Sequence, residues 1–169
     1  LNACAAAAVG LHLGMSLAEI AAGLATYQPS GARMRILASG GIRILDDTYN
    51  AAPVSVIAAL QTGRDLAGTG RLIACLGDMY ELGPAALSGH QQVGEAAARL
   101  AEHVVAVGEM AREIAATAGS KAHYFAVKDQ AIDHLRGLLQ PGDTLLVKGS
   151  RGMRMEEIVQ AIEAAPGRP

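Results

Sequence analysis

The chain has 169 residues, 51% apolar but only 3% aromatic with no tryptophan, and Lys+Arg 14 against Asp+Glu 16 leave a net charge of -2. That length suits one sizeable core plus a smaller piece; the absence of a basic block argues against a nucleic-acid partner, and the scarcity of aromatics against base stacking. Cys4 and Cys75 stand far apart with no C-x-x-C, giving no support to a disulfide framework or structural zinc and suiting a reducing cytoplasm, and no run reaches the ~18 apolar residues of a membrane span.

Residues 2–13 read as a buried alanine helix that is already under way at Leu1, so the chain is expected to be a piece of a longer one. No Lys or Arg precedes this stretch, which sets it apart from a signal peptide. Ser16 and Glu19 form an S-x-x-E capping box opening a second helix with Leu17, Ile20 and Leu24 on one face, and residues 27–32 read as a linker. MRILA and IRILD, joined by Ser39-Gly40-Gly41, have the alternation and glycine turn of a β-hairpin.

Beyond the hairpin, strand and helix alternate. A helix begins at Pro53, where a missing N–H costs nothing. RLIACLGD (71–78) reads as a buried strand, followed by a helix opened by Ser88 and carrying Val93, Ala97 and Leu100. HVVAVG (103–108) precedes a helix ending near Gly119, and AHYFAV (122–127) precedes one with Ile132, Leu135 and Leu138. DTLLVKGS (143–150) precedes a last helix carrying Met155, Ile158 and Ile162. Such a series predicts an α/β, Rossmann-like three-layer domain with a mostly parallel sheet. Residues 33–38 add an antiparallel N-terminal edge strand, and two helices precede the whole.

In open sheets of this kind ligands collect at the carboxyl ends of the strands. Polar clusters fall at those ends: Asp46-Asp47-Thr48-Tyr49-Asn50, Gly77 to Gly83 with Asp78 and Glu81, Gly108-Glu109, and Lys148-Gly149-Ser150-Arg151-Gly152. Any one of them taken alone also reads as a turn and helix start; together they predict one functional rim. With Pro53 in the first turn the helix cap is Ala52, so Asn50 comes too early to be the cap and points to a ligand role. No P-loop, G-x-G-x-x-G, G-x-S-x-G or H-E-x-x-H is present. His12, His103, His123 and His134 have no spaced partner and are expected as surface or element-end residues, whereas His90 follows the Asp78–Gly83 loop.

DDTYNAAP, LGDMYELG followed by His90, and LLVKGSRGMRMEEIV together resemble the C-terminal domain of the Mur ligases, in particular of the member that joins D-alanyl-D-alanine to UDP-N-acetylmuramoyl-tripeptide. The resemblance covers almost the whole chain, and NACAAAA is similar to the end of a segment in the family's central domain. It implies that residues 1–28 close a central P-loop ATPase domain and that 29–169 form the C-terminal domain of a cytoplasmic, ATP-dependent peptidoglycan-precursor ligase. In such an enzyme ATP phosphorylates the tripeptide carboxylate and the dipeptide amine attacks the acyl phosphate. ATP and Mg2+ would be gripped mainly by the central domain, with which this domain is expected to make contact. The piece alone, lacking a P-loop, is expected to be folded and inactive.

Carried over by the resemblance, Asn2 matches an adenine contact, Arg33 reaches the ATP phosphates, Asp47 stands near ribose, and Tyr49 and Asn50 line that edge. Lys148, Ser150 and Arg151 are assigned to the incoming dipeptide, with Asp78, Glu81 and His90 as further candidates there. No catalytic group and no metal ligand is assigned within the chain. Two departures from the family pattern stand out: Asn-Ala-Asn-Pro reads Asn50-Ala51-Ala52-Pro53, costing a cap of order 1 kcal/mol, and Gly-Arg reads Ala32-Arg33. Three other readings remain: a sister ligase, a receiver-like phosphoacceptor domain built on Asp46, Asp47, Asp78 and Lys148, and a noncatalytic sugar-nucleotide or peptide binding module.

Overall fold

A computed structural model describes residues 2–27 and 31–164. The chain divides into two compact units, Leu1–Ser30 and Gly31–Pro169; the linker and domain boundary expected around residue 28 touch positions 28–30, outside the described residues.

In the first unit, helices α1 (Asn2–His12) and α2 (Leu17–Ala25) form as the apolar pattern predicts. The capping box closes on both sides. The Ser16 hydroxyl accepts the Glu19 N–H at 3.3 Å, and the Glu19 carboxylate accepts the Ser16 N–H at 2.8 Å. These bonds hold the Glu19 carboxyl below its ordinary pKa. The alanine helix expected to be buried is instead exposed: only Gly10 is covered along it, and Leu17 (72% exposed) and Leu24 (38%) flank a buried Ile20. Two short helices can cover only their common seam. That seam is tight, since a Cβ on Gly10 would come within 2.9 Å of Ile20 Cγ1.

The second unit runs β1 (Arg35–Ser39), β2 (Ile42–Asp46), α3 (Pro53–Ala67), β3 (Leu72–Gly77), α4 (Ala86–Leu100), β4 (His103–Val107), α5 (Ala111–Ala118), β5 (Ala122–Phe125), α6 (Lys128–Leu138), β6 (Thr144–Lys148) and α7 (Glu156–Glu163). Its six strands lie in the order β1-β2-β6-β3-β4-β5. Only the β1–β2 pair is antiparallel; its turn is Gly40-Gly41, since Ser39 pairs with Ile42, and φ of 56° and 80° there suit glycine. Helix α4 begins at Ala86 instead of the expected Ser88, because a 3-10 turn over Gly83–Ala85 feeds it directly and Ser88 bonds back to the Ala85 carbonyl.

Alternation within buried strands sorts the core into two faces. Leu45, Ala74, Leu76, Val104, Ala106 and Leu146 pack with Val56 and Leu60 of α3, Val93 and Ala97 of α4 and Ile114 of α5. Ile44, Ile73, Cys75, Val105, Leu145 and Val147 pack with Ile132 and Leu135 of α6 and Ile158 and Ile162 of α7. Fully burying each Leu or Ile contributes roughly 1.5–3 kcal/mol. Burial also pushes the Cys75 thiol up to about 12, so it stays protonated and inert.

Of the histidines, His12 ends α1 and His103 opens β4 as expected, but His134 lies within α6, its ring centroid 4.4 Å from that of His123 and 5.2 Å from that of Phe125. Partial burial, Arg71 and His123 lower the pKa of His103; burial, His123 and His103 lower that of His134. Both are bases favoured neutral by the fold, so the unfolded chain takes up protons first as pH falls below about 6.5. Thermal melts should therefore show stability constant above pH ~7 and declining as pH falls through ~6. His134→Phe should flatten that decline, and an unaltered profile would show that the cluster does not couple to folding.

Candidate functional site

The strand order opens a crevice. Helix α3 leaves β2 towards one face of the sheet, whereas α7 leaves the adjacent β6 towards the other, so the loops part at the carboxyl ends. Two adjoining clefts, each of about 360 Å³, lie there and share the wall Tyr49-Asn50-Ala51-Ala52.

The first cleft is completed by Arg33, Asp47, Ser55 and Lys148. The chain before β1 is tied to the loop after β2: Tyr49 N–H donates to the Ala32 carbonyl at 2.9 Å, and Met34 N–H donates to Asp47 Oδ1 at 3.0 Å. Met34 takes up φ 51° to do so, a strained conformation for a non-glycine residue. Arg33, exposed, lies over the Tyr49 ring with Cζ 4.2 Å from its centroid, an arrangement that holds the cation without neutralising it. Asp47 Oδ2 accepts from Lys148 Nζ at 2.6 Å, and the same ammonium donates to the Asn50 carbonyl at 2.8 Å. With two cations to one carboxylate, this cleft suits an anion.

The second cleft adds Tyr80, Glu81, Leu82, Ser150, Arg151 and Gly152 to the shared wall. Arg151 is largely exposed and only loosely paired, 3.4 Å from Glu156. The Tyr80 hydroxyl rests 2.8 Å from Met153 Sδ, and burial with the nearby Asp78 raises its pKa. Glu81 is exposed at φ 64°.

Several sequence expectations change here. Lys148, assigned to the dipeptide side, is 4% exposed and belongs to the first cleft, because β6 inserts beside β2 and sets it against Asp47. Asp78 lines neither of these two clefts: buried, it accepts the N–H groups of Glu109 at 3.0 Å and Ala111 at 2.7 Å, capping α5. His90 is fully buried, its Nε2 accepting the Met79 N–H at 3.0 Å and its Nδ1 donating to the Ala86 carbonyl at 2.7 Å. Ser150 lines the second cleft but is nearly buried, accepting the Tyr80 N–H at 2.8 Å through Oγ. Asp78, His90 and Ser150 thus brace the loop that carries Tyr80 and Glu81. Asn50 keeps its Oδ1 on the Ala51 N–H and leaves its amide nitrogen to the cleft. Asn2 opens α1 in the first unit and is exposed.

The missing asparagine cap at Ala52 is partly replaced by Ser55, whose hydroxyl accepts the Ala52 N–H at 3.1 Å and donates to the Ala52 carbonyl at 2.9 Å. Tyr80 sits within the GDMYELG string yet carried no separate signal, since an exposed tyrosine after a strand is ordinary turn text. The receiver-like constellation fails. Asp46 is buried on Arg35 and Thr48, Asp47 is bonded to Lys148, and Asp78 is spent on backbone amides, so no open acid cluster remains to take up a phosphoryl group.

Residues 32–151 match the family described as Mur ligase, glutamate ligase domain. Over 166 residues the chain is 40% identical to the UDP-N-acetylmuramoyl-tripeptide--D-alanyl-D-alanine ligase of Escherichia coli (strain K12), a match covering 96% of this chain and 36% of that protein. The ligase of the same name from Bacillus subtilis (strain 168) is 31% identical, with coverages of 98% and 38%. Among solved structures the chain is similar to MurF from Acinetobacter baumannii, with a TM-score of 0.87, 33% identity and coverages of 97% and 37%. It is also similar to MurF ligase from Thermotoga maritima in complex with ADP, with a TM-score of 0.80, 26% identity and coverages of 92% and 35%. The chain spans little more than a third of the length of these relatives.

Proposed function

The chain belongs to the Mur ligase family, and on that premise we propose that it supplies the C-terminal domain of an ATP-dependent ligase joining D-alanyl-D-alanine to UDP-N-acetylmuramoyl-tripeptide, the activity for which its E. coli and B. subtilis relatives are named. In that reaction the tripeptide carboxylate takes the γ-phosphoryl group of ATP, releasing ADP. The dipeptide amine then attacks the acyl carbon, and the tetrahedral intermediate expels phosphate and loses a proton. Residues 1–28 are proposed as the end of the preceding ATPase domain, and a cytoplasmic location goes with the substrates. No described helix is long and apolar enough to cross a membrane.

The observation that carries this reading is the pair of adjoining clefts with a shared wall, one rich in cations and the other edged by a guanidinium. Arg33 offers a permanent forked charge to phosphate oxygens. Asp47, with one N–H and one ammonium already bonded, keeps lone pairs free for ribose hydroxyls. Arg151 meets the dipeptide carboxylate across the wall, placing its amine towards the acyl phosphate. Asp47, the carboxylate lining the first cleft, already accepts the Lys148 ammonium and is a poor seat for Mg2+. The metal and the main triphosphate grip are assigned to the rest of the ligase.

Phosphate release by the intact ligase tests the proposal. Release should require the UDP-linked tripeptide and D-alanyl-D-alanine together, and release independent of the dipeptide would overturn the assignment. Arg151→Ala should raise the KM for the dipeptide on the order of tenfold to a hundredfold and leave that for ATP in place; the opposite pattern would move Arg151 to the nucleotide side.

A further inference from the structure

Lys148 is the least exposed cation on the rim, at 4%, and stands on a strand flanked on both sides. Its two bonds run to the loop after β2, one to the Asp47 carboxylate and the other to the Asn50 main-chain carbonyl. The rest of that loop is held at its start, where the Asp47 N–H donates to the Val147 carbonyl of β6 at 3.1 Å, and at Tyr49, whose N–H donates to the Ala32 carbonyl at 2.9 Å, but neither bond reaches Asn50. Thr48 bonds back to Asp46, Asn50 Oδ1 takes the adjacent Ala51 N–H, and Ala52 turns to Ser55 at the start of α3. The carbonyl of Asn50, in the middle of the wall common to both clefts, is thus fastened to the sheet by one ammonium group.

We infer that Lys148 is a positioning residue that sets the shared wall, so that its loss disturbs nucleotide and dipeptide recognition together. Arg33 and Arg151 stand on opposite sides of that wall, and each serves one substrate; Lys148 touches the wall itself and so acts on both. The effect on substrates rests on the function proposed above, whereas the anchoring of the loop does not.

The test uses Lys148→Met in the intact ligase, which keeps the length of the side chain and removes the ammonium. Amide hydrogen exchange over Thr48–Ala52 should accelerate while the amides of Leu72–Gly77 in β3 keep their protection. KM for ATP and KM for D-alanyl-D-alanine should both rise, by roughly tenfold or more, with Lys148→Arg recovering part of the loss. Unchanged exchange in the loop would overturn the anchor. A rise in the KM for ATP alone would make Lys148 a direct nucleotide contact and equally overturn the proposal. If the single variant unfolds, seen as lost β3 protection, the charge-balanced pair Asp47→Asn with Lys148→Met removes the same anchor, and its KM for the dipeptide decides. A wild-type ligase inactive on these substrates would sink the assignment of the clefts, and the exchange result would still judge the anchor.

Discussion

Arg33→Ala in the intact ligase is expected to lower turnover on the order of tenfold to a hundredfold, read by phosphate release at saturating substrates. The arginines of the sheet and its helices are mostly committed: Arg35 to Asp46, Arg64 to Glu102 and Arg71 to Asp143. Arg33 has no such carboxylate among the described residues and lies instead on the Tyr49 ring. A stacked cation keeps its charge while losing rotational freedom, so less entropy is lost when it meets a phosphate. Its anchorage is short and direct, because Ala32 and Met34 on either side are both bonded to the loop carrying Tyr49. Lysine at this position keeps the charge but loses the fork and should recover only part of the rate. Unchanged turnover in Arg33→Ala would remove this residue from the nucleotide cleft.

Asp78→Ala is expected to destabilise the second unit on the order of 3 kcal/mol, since two N–H groups at the start of α5 lose a shared charged acceptor beneath the surface. The chain geometry leaves no substitute. Gly108 packs so closely that an added Cβ would lie 2.5 Å from Asp78 Oδ1, and its φ of 118° already needs glycine. Urea denaturation should show the loss as a lower midpoint, and Asp78→Asn, keeping one acceptor oxygen, should lose less. A variant of full stability whose only defect was a weaker dipeptide KM would instead return Asp78 to the substrate side.

Much of the architecture was legible in the sequence because its signals are local. Apolar runs ending in Gly-Asp or Lys-Gly mark buried parallel strands, Pro53 marks a helix start, and paired glycines mark the hairpin. The order of strands was not legible, since nothing local says that the last strand inserts between β2 and β3. For that reason the pairing of Lys148 with Asp47, 101 residues away, and its place in the first cleft were not legible either. Asp78 and His90 show a second limit. A polar side chain at a strand end looks the same in sequence whether it meets a ligand or a backbone amide, and burial alone separates the two. Arg33 and Asn50 differ in keeping polar groups open to the cleft.

The most direct measurement is a crystal structure of the intact ligase with a non-hydrolysable ATP analogue and D-alanyl-D-alanine. Phosphate oxygens should lie within hydrogen-bonding reach of Arg33 and the dipeptide carboxylate at Arg151, with Tyr49–Ala52 standing between them. Nucleotide density at the opposite, amino-terminal ends of the strands, or both ligands on one side of that wall, would contradict this arrangement.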